Sequence, residues 1–309
     1  MNRFVQVSVI CFFAGGLLLV AGCERTNQPN PRVVAANVES LKKALGSGAT
    51  AEATPGAGAV VAEPTGWATL KGKFVFNGTV PTLAALKVDK DQSVCAPGGK
   101  QVFEESLVVD SSSKGIKDVV IYISKKIPSD EKWEHADYLT TKNDEVVFDQ
   151  KNCVFLSHVF VMRTTQKALI KNSDPVGHNT SISPSAGSKA TPINVIIGAN
   201  DSTTYEPKGE SSIPNPVACT IHPWMSARLL TRSNPYYAVS APDGTFEIKN
   251  VPAGVELEFA VWQEKAGFVG AATVNGKDEK WSKGRFKKTL ANDATETLDV
   301  ALNESVFAK

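Results

Sequence analysis

Histidine and methionine are scarce in this chain of 309 residues, which contains four and three of them respectively. The charges nearly cancel, with 33 basic and 32 acidic residues and no basic tract, so nothing indicates nucleic-acid binding. The sequence also lacks a nucleophile elbow, a phosphate-binding P-loop and a dinucleotide fingerprint. These absences leave no sequence signal for an enzyme of those classes, and no small-molecule substrate is evident.

The first 22 residues have the features of an export signal. Arg3 supplies a positive charge, and the apolar run over residues 9–20 suits a signal peptide and is short for a membrane span. The run leads into Leu-Val-Ala-Gly-Cys23, which resembles the bacterial lipobox. This resemblance implies that the mature chain begins at Cys23 and is anchored by lipid in the cell envelope, facing the periplasm. The next residue, Glu24, slightly favours the outer membrane.

Residues 23–66 are predicted to form a flexible tether behind this anchor. The stretch 46–66 consists mostly of Ala, Gly, Thr and Pro, a composition that buries too little apolar surface to fold. A short helix could form over residues 32–45. A lipid-anchored protein needs such a spacer to hold its folded part away from the bilayer.

From Trp67 onward the pattern is that of an all-β protein. Short apolar or alternating runs are separated by Asn, Gly, Asp, Ser and Pro, and strands do not alternate with helices. This predicts one or two antiparallel β-sandwiches. The main predicted strands cover residues 70–76, 119–123, 145–148, 154–162, 168–171, 193–197 and 227–231, and a predicted hairpin covers residues 243–262.

Four potential metal ligands stand in the order His178, then Cys219-x-x-His222-x-x-Met225. Two imidazoles and a thiolate in one plane, with a weak axial thioether, form the ligand set of a mononuclear blue-copper centre. Zinc takes Cys, His and carboxylate ligands but seldom a thioether. The pattern therefore predicts one type 1 copper ion, with Met225 as its axial ligand.

The stretch 115–232 resembles the cupredoxin family, most closely its plastocyanin and amicyanin branch. The resemblance rests on the run over residues 154–162, on His178-Asn179, and on the ligand loop over residues 219–225. It implies a Greek-key β-sandwich in which Asn179 hydrogen-bonds across to the cysteine loop and so orients the ligands. The turn Arg163-Thr-Thr-Gln-Lys departs from the family pattern, which often has glycine there.

The same resemblance implies how electrons enter and leave. One ring edge of His222 is expected at the surface, where Pro223 and Trp224 flank it and form an electron port for a transient redox protein. Multicopper oxidases and nitrite reductases place a histidine beside the copper cysteine, whereas Cys219 has Ala218 and Thr220 as neighbours. We therefore expect a non-enzymatic electron carrier. The alternatives are a copper storage or delivery lipoprotein, and a structural envelope protein that binds polysaccharide or protein.

Two further β regions flank the copper segment. Residues 67–114 form an N-terminal β segment, and residues 233–309 form a C-terminal region that contains Asp-Gly-Thr-Phe-Glu-Ile-Lys-Asn-Val-Pro-Ala-Gly at 243–254. This phrase resembles the carboxypeptidase regulatory-like β-sandwich, and the alternative is two more strands of one larger sandwich. The predicted architecture is thus a cupredoxin-like sandwich with a second, smaller sandwich.

Cys95 and Cys153 have not yet been given a role. Cys11 lies in the signal segment, and Cys23 and Cys219 are the predicted lipidation site and copper ligand. An exported chain lies in an oxidising compartment, where thiols pair. With Cys219 bound to copper, Cys95 and Cys153 can form a disulfide. The alternative is that these two cysteines join His158 in a second metal site.

Overall fold

The computed structural model describes residues 62–308. The predicted signal segment, the lipidation site Cys23 and most of the predicted tether lie outside the described residues. Within residues 62–308, no helix has the length and apolar character needed to cross a membrane. The described chain is almost entirely β, which confirms the predicted all-β class. Its short helices are α1 (Gln92–Cys95) and α2 (Ala136–Thr140), with 3-10 turns at Pro97–Gly99 and Glu304–Phe307.

One sandwich combines the first strand of the described chain with strands from its C-terminal part. Its first sheet has the order β15-β1-β21-β18-β19, namely Thr245–Ala253, Gly66–Asn77, Thr295–Asn303, Ala271–Val274 and Lys277–Lys280. Its second has the order β14-β4-β16-β17, with β20 paired to β16, namely Tyr237–Val239, Val120–Ile123, Glu256–Gln263, Gly267–Phe268 and Arg285–Thr289. The parallel pair β1 and β21 therefore joins residues far apart in sequence.

The other sandwich carries the predicted copper ligands and is named the copper sandwich for them. A five-stranded sheet has the order β10-β9-β12-β13-β7, namely Ile193–Ile197, His178–Ile182, Asn215–Ala218, Ser226–Arg232 and Val159–Arg163. A four-stranded sheet has the order β11-β8-β5-β6, namely Ser202–Tyr205, Lys167–Asn172, Glu145–Lys151 and Val154–Phe155. A small ladder pairs β2 (Ala85–Leu86) with β3 (Val102–Phe103). The sequence predicted that the sandwich with the C-terminal strands is the smaller of the two. It has two five-stranded sheets and is therefore no smaller than the sandwich that carries the predicted ligands.

Each sandwich has its own apolar core. Alternating residues of β1, such as Phe74 and Phe76, bury one face of that strand in a core that also contains Phe259 of β16, as the period of a half-buried strand requires. The copper sandwich has a separate core that includes Phe148, Met162 and Leu229. The outer faces of β4 and β16 pack on β7 and β13 through a third cluster, so β4 is apolar and buried on both faces.

Two predicted elements differ from those observed. The predicted hairpin over 243–262 is wrong, because β15 pairs with β1 while β16 pairs with β4 in the opposite sheet. The predicted strand over 154–162 divides at Leu156-Ser-His158, so β6 lies in one sheet and β7 in the other. Both differences arise because consecutive strands of a sandwich often cross between its sheets, which a local pattern does not reveal. The domain boundaries at 114/115 and 232/233 remain a prediction.

Candidate metal centre

Neighbouring strands of one sheet bring the predicted ligands together. His178 is the first residue of β9, and β9 pairs directly with β12, which leads into the loop Cys219–Met225. The backbone N–H of Cys219 donates to the carbonyl of Met225 over 3.2 Å, and that of Met225 donates to His222 over 2.9 Å. These bonds close the loop tightly, so its side chains are held in fixed positions.

Three ligand atoms converge inside the sandwich. Nδ1 of His178 lies 2.9 Å from Nδ1 of His222, and Sγ of Cys219 lies 3.9 Å from the same His222 nitrogen. Both histidines are completely buried, and Cys219 is 1% exposed. Metal–nitrogen bonds of about 2.0 Å and metal–sulfur bonds of about 2.3 Å, the lengths known for zinc, can span such separations.

The outer nitrogens of both imidazoles bind carboxylates. Nε2 of His178 lies 2.8 Å from Oδ2 of Asp174, and Nε2 of His222 lies 2.8 Å from Oδ2 of Asp91. An ionised carboxylate only accepts hydrogen bonds, so each Nε2 carries the proton. A neutral imidazole in this tautomer presents an Nδ1 lone pair toward the other ring.

Burial and the nearby His222 lower the pKa of His178, although Asp174 acts in the opposite direction. This favours the neutral ring that a metal ligand requires. The two Nδ1 atoms lie 2.9 Å apart, so a shared proton or a bound metal ion between them offsets the repulsion of their lone pairs. The donor set of two imidazole nitrogens and one thiol sulfur therefore fits a soft or borderline metal ion.

Asn179 makes the contacts to the cysteine loop that the family resemblance implies. Its Oδ1 accepts hydrogen bonds from the backbone N–H of Thr220 over 2.6 Å and of Ile221 over 3.2 Å. Its own backbone N–H donates to Sγ of Cys219 over 3.4 Å, which stabilises a thiolate there. Asn194 in turn accepts from the Asn179 amide, so both ends of that side chain are fixed.

The remaining residues of the ligand loop differ in their exposure. Met225 is buried in the same apolar core, on the loop of Cys219 and His222. Pro223 is exposed, and half-buried Trp224 lies with its ring centroid 5.1 Å from that of His222. The expected exposure of the His222 ring edge is wrong, because Asp91 covers Nε2 and the side chain is fully buried.

A disulfide closes this end of the sandwich. Cys95, at the end of α1, is bonded to Cys153, with their Cα atoms 4.9 Å apart. Both sulfurs are buried close to His222, and the carbonyl of Cys153 accepts a hydrogen bond from the Trp224 indole over 3.0 Å. The pairing predicted for these two cysteines is present, and the alternative with His158 as their partner is not.

His158 takes part in a separate ionic cluster. Its Nε2 lies 2.6 Å from Glu264 and its Nδ1 lies 3.1 Å from the carbonyl of Ser226. Both partners accept hydrogen bonds only, so the ring is a cation here. Burial lowers the pKa of His158, but the hydrogen bond and charge of Glu264, with Glu105 and Asp118 nearby, outweigh this effect and raise that pKa above 6.5.

The same contacts predict a pH-dependent stability. Burial raises the pKa of Glu264, but His158 and Arg228 outweigh it, so the pKa falls below 4.5. The histidine contribution is complete below pH 6.5 and is lost as pH rises through the raised pKa, whereas the glutamate contribution is lost as pH falls below 4.5. The pair therefore stabilises the fold most between these two values.

We expect His158→Gln to lower the free energy of unfolding by about 3 kcal/mol at roughly pH 5.5, and by clearly less at roughly pH 9. Urea unfolding at the two pH values measures the difference. Lys87→Gln removes one member of an exposed ion pair with Asp89 and is the control, expected to change stability little at either pH. An equal penalty for His158→Gln at both pH values would contradict the ionic role.

The two carboxylates that hold the imidazoles are absent from the sequence-based prediction. Asp174 precedes His178 by four residues, a spacing that offered a weak signal. Asp91 precedes His222 by 131 residues and lies outside the stretch that resembles a cupredoxin, so no sequence signal pointed to it. The structure thus enlarges the predicted site by two acidic residues.

This chain is only weakly similar to known proteins. No known family description matches the chain, and no curated protein matches it. A copper-containing nitrite reductase (NirK) from Thermus scotoductus SA-01 is similar at 14% identity and a TM-score of 0.26, over 28% of this chain and 22% of that one. A reduced Cu(I) amicyanin variant at pH 4 is similar at 12% identity and a TM-score of 0.25, over 28% of this chain and 82% of amicyanin.

Proposed function

We propose that this protein binds one copper ion through His178, Cys219 and His222, with Met225 as the axial ligand, and carries single electrons. The observation that supports this is the convergence of two imidazole Nδ1 atoms and a thiol sulfur within one buried site. Copper held by this donor set would supply a Cu(II)/Cu(I) couple. The residues of the chain supply the rigid frame for both states.

Electron transfer suits this site better than copper delivery does. Every planar ligand is 0–1% exposed, and the ligand loop is fixed by backbone hydrogen bonds and by Asn179. A site that releases its ion to a partner needs ligands that the partner can reach. A rigid, water-excluding site instead keeps the ion and limits the rearrangement that accompanies each electron transfer.

The groove beside the ligand loop is the proposed route for electrons. Trp224 contacts the His222 ring and also lines a groove of about 530 Å³, together with exposed Pro223, Phe103 and Leu156. Polar residues such as Lys100 and Glu104 also line the groove, and a small surface of this mixed kind suits a redox protein that must dissociate quickly. We propose that this partner docks here, rather than over the His222 ring edge that Asp91 covers.

The proposed setting is the bacterial cell envelope. Lipid on Cys23 would anchor the chain to a membrane, slightly favouring the outer one, and the folded part would face the periplasm. An oxidising compartment is compatible with the Cys95–Cys153 disulfide. The C-terminal region 233–309, whose stretch 243–254 resembles the carboxypeptidase regulatory-like β-sandwich, would serve as a non-catalytic support.

Retention of copper during redox cycling distinguishes a carrier from a delivery protein. We expect the copper-loaded protein to keep its ion through repeated reduction and oxidation with excess Cu(I) chelator present, because the ligands are buried. The chelator complex is measured by its absorbance. His222→Ala, which lacks one planar ligand, is the control that should lose copper. Rapid transfer of copper from the wild-type protein would support the delivery alternative.

A further inference from the structure

Asp91 lies on a segment that belongs to neither sheet of the copper sandwich. It immediately precedes α1, and its backbone carbonyl accepts hydrogen bonds from the N–H groups of Val94 and Cys95, each over 2.9 Å. Its backbone is left-handed, with φ of 46°, a conformation that aspartate and asparagine adopt more readily than most residues. The segment is thus folded in a way that directs this carboxylate onto His222.

The disulfide connects the supports of the two imidazoles. Asp91 lies one helical turn before Cys95, which is bonded to Cys153. The backbone N–H of Cys153 donates to Oδ2 of Asp174 over 2.8 Å, and this same oxygen accepts from His178. A continuous chain of covalent and hydrogen bonds therefore runs from the carboxylate on one ligand to the carboxylate on the other.

We propose that Asp91 is a positioning residue that fixes the His222 ring and lowers the reduction potential of the bound copper. This inference rests on the proposed function. A carboxylate that accepts the Nε2 proton fixes the ring orientation and makes the imidazole a stronger electron donor. The added negative charge favours the more highly charged Cu(II) over Cu(I). Because the Asp91 side chain is 36% exposed, solvent reduces this effect without abolishing it.

Asp91→Asn tests this role with little change of shape. Asparagine tolerates the left-handed backbone and can still accept from Nε2 through its amide oxygen, but it lacks the charge. Loss of such a partner typically weakens metal binding by about 10- to 100-fold. If Cu(II) binding weakens tenfold and Cu(I) binding does not change, the potential rises by about 59 mV.

The experiment measures the potential and the visible spectrum of the full-length copper-loaded protein. We expect Asp91→Asn to keep the intense visible band and to raise the potential. Asp89→Asn is the matched control on the same segment, because within residues 62–308 the ion pair of Asp89 is with exposed Lys87. Its potential should equal that of the wild type. Asp91→Glu retains the charge and should restore most of the wild-type potential.

The outcomes separate this inference from the proposed function. If the wild-type protein binds no copper or shows no thiolate band, the proposed function fails first. If the wild type has the band but Asp91→Asn and Asp89→Asn share its potential, only the role of Asp91 is overturned. If Asp91→Asn does not fold, Asp91→Glu and Asp91→Ala are compared instead. The role of Asp91 is then overturned if the potentials of these two variants differ from that of the wild type by the same amount.

Discussion

Replacing Cys219 with serine should abolish the intense visible absorption of the copper-loaded protein. That band requires charge transfer from a thiolate to Cu(II), and Cys219 is the cysteine without a disulfide among residues 62–308. The Cys219 side chain is 1% exposed, and its Sγ accepts a hydrogen bond from the backbone N–H of Asn179. No other thiol can therefore replace it in the site. Absorption and electron paramagnetic resonance of protein loaded with Cu(II) measure the loss.

Ser226→Ala provides the matched control for this substitution. Ser226 begins β13 directly after the ligand loop and is exposed, and its backbone carbonyl rather than its hydroxyl accepts from His158. This variant should retain the full band. A Cys219→Ser protein that remains intensely coloured would remove Cys219 from the ligand set and with it the proposed blue-copper centre.

Replacing Arg163 with methionine should lower the free energy of unfolding by about 3–5 kcal/mol, the typical effect of removing one member of a buried ion pair. Arg163 is 2% exposed and donates to Glu134 over 2.7 Å and to the carbonyl of Tyr138 over 3.0 Å. Glu134 is 1% exposed, so its charge would lose its partner inside the protein. Denaturant unfolding measures the change.

Two further variants test this explanation. Lys167→Met removes an exposed pair with Glu206 and should cost less than about 1 kcal/mol. The double variant Arg163→Met with Glu134→Leu should regain part of the lost stability, because no charge then remains buried without a partner. If Arg163→Met is as mild as Lys167→Met, the buried pair does not stabilise the fold.

The clustering of the candidate ligands could be predicted because their chemistry lies in two short segments. Cys219, His222 and Met225 share a single loop, and a loop between paired strands preserves sequence spacing as spatial proximity. His178 stands at the start of a strand, where a side chain projects into a fixed position. Alternating apolar residues likewise identified the positions of most strands of the copper sandwich.

Long-range pairing could not be predicted. The pattern of β1 shows that one face is buried, but it does not show that β15 and β21 are its neighbours. The hairpin predicted from residues 243–262 was wrong for this reason, because a turn signal does not determine which sheet the next strand enters. Arg163 appeared to begin an ordinary turn, and only the packing of residues 130–140 shows that it is buried.

The covering of His222 is the most consequential of these unpredicted features. The family resemblance placed its ring edge at the surface, because the resemblance begins at residue 115 and leaves out the segment that contains Asp91. The Cys95–Cys153 disulfide holds α1, the helix next to Asp91, against the copper sandwich. A segment outside the stretch that resembles a cupredoxin therefore covers one of the proposed ligands.

A titration of the purified protein with Cu(II), followed by visible absorption, tests the proposed metal centre most directly. His178, Cys219 and His222 converge on one position, so the absorbance should rise in proportion to added copper and stop at one ion per chain, with an intense blue thiolate band. A colourless or weakly absorbing Cu(II) complex, or no saturable binding, would contradict the blue-copper electron carrier proposed here.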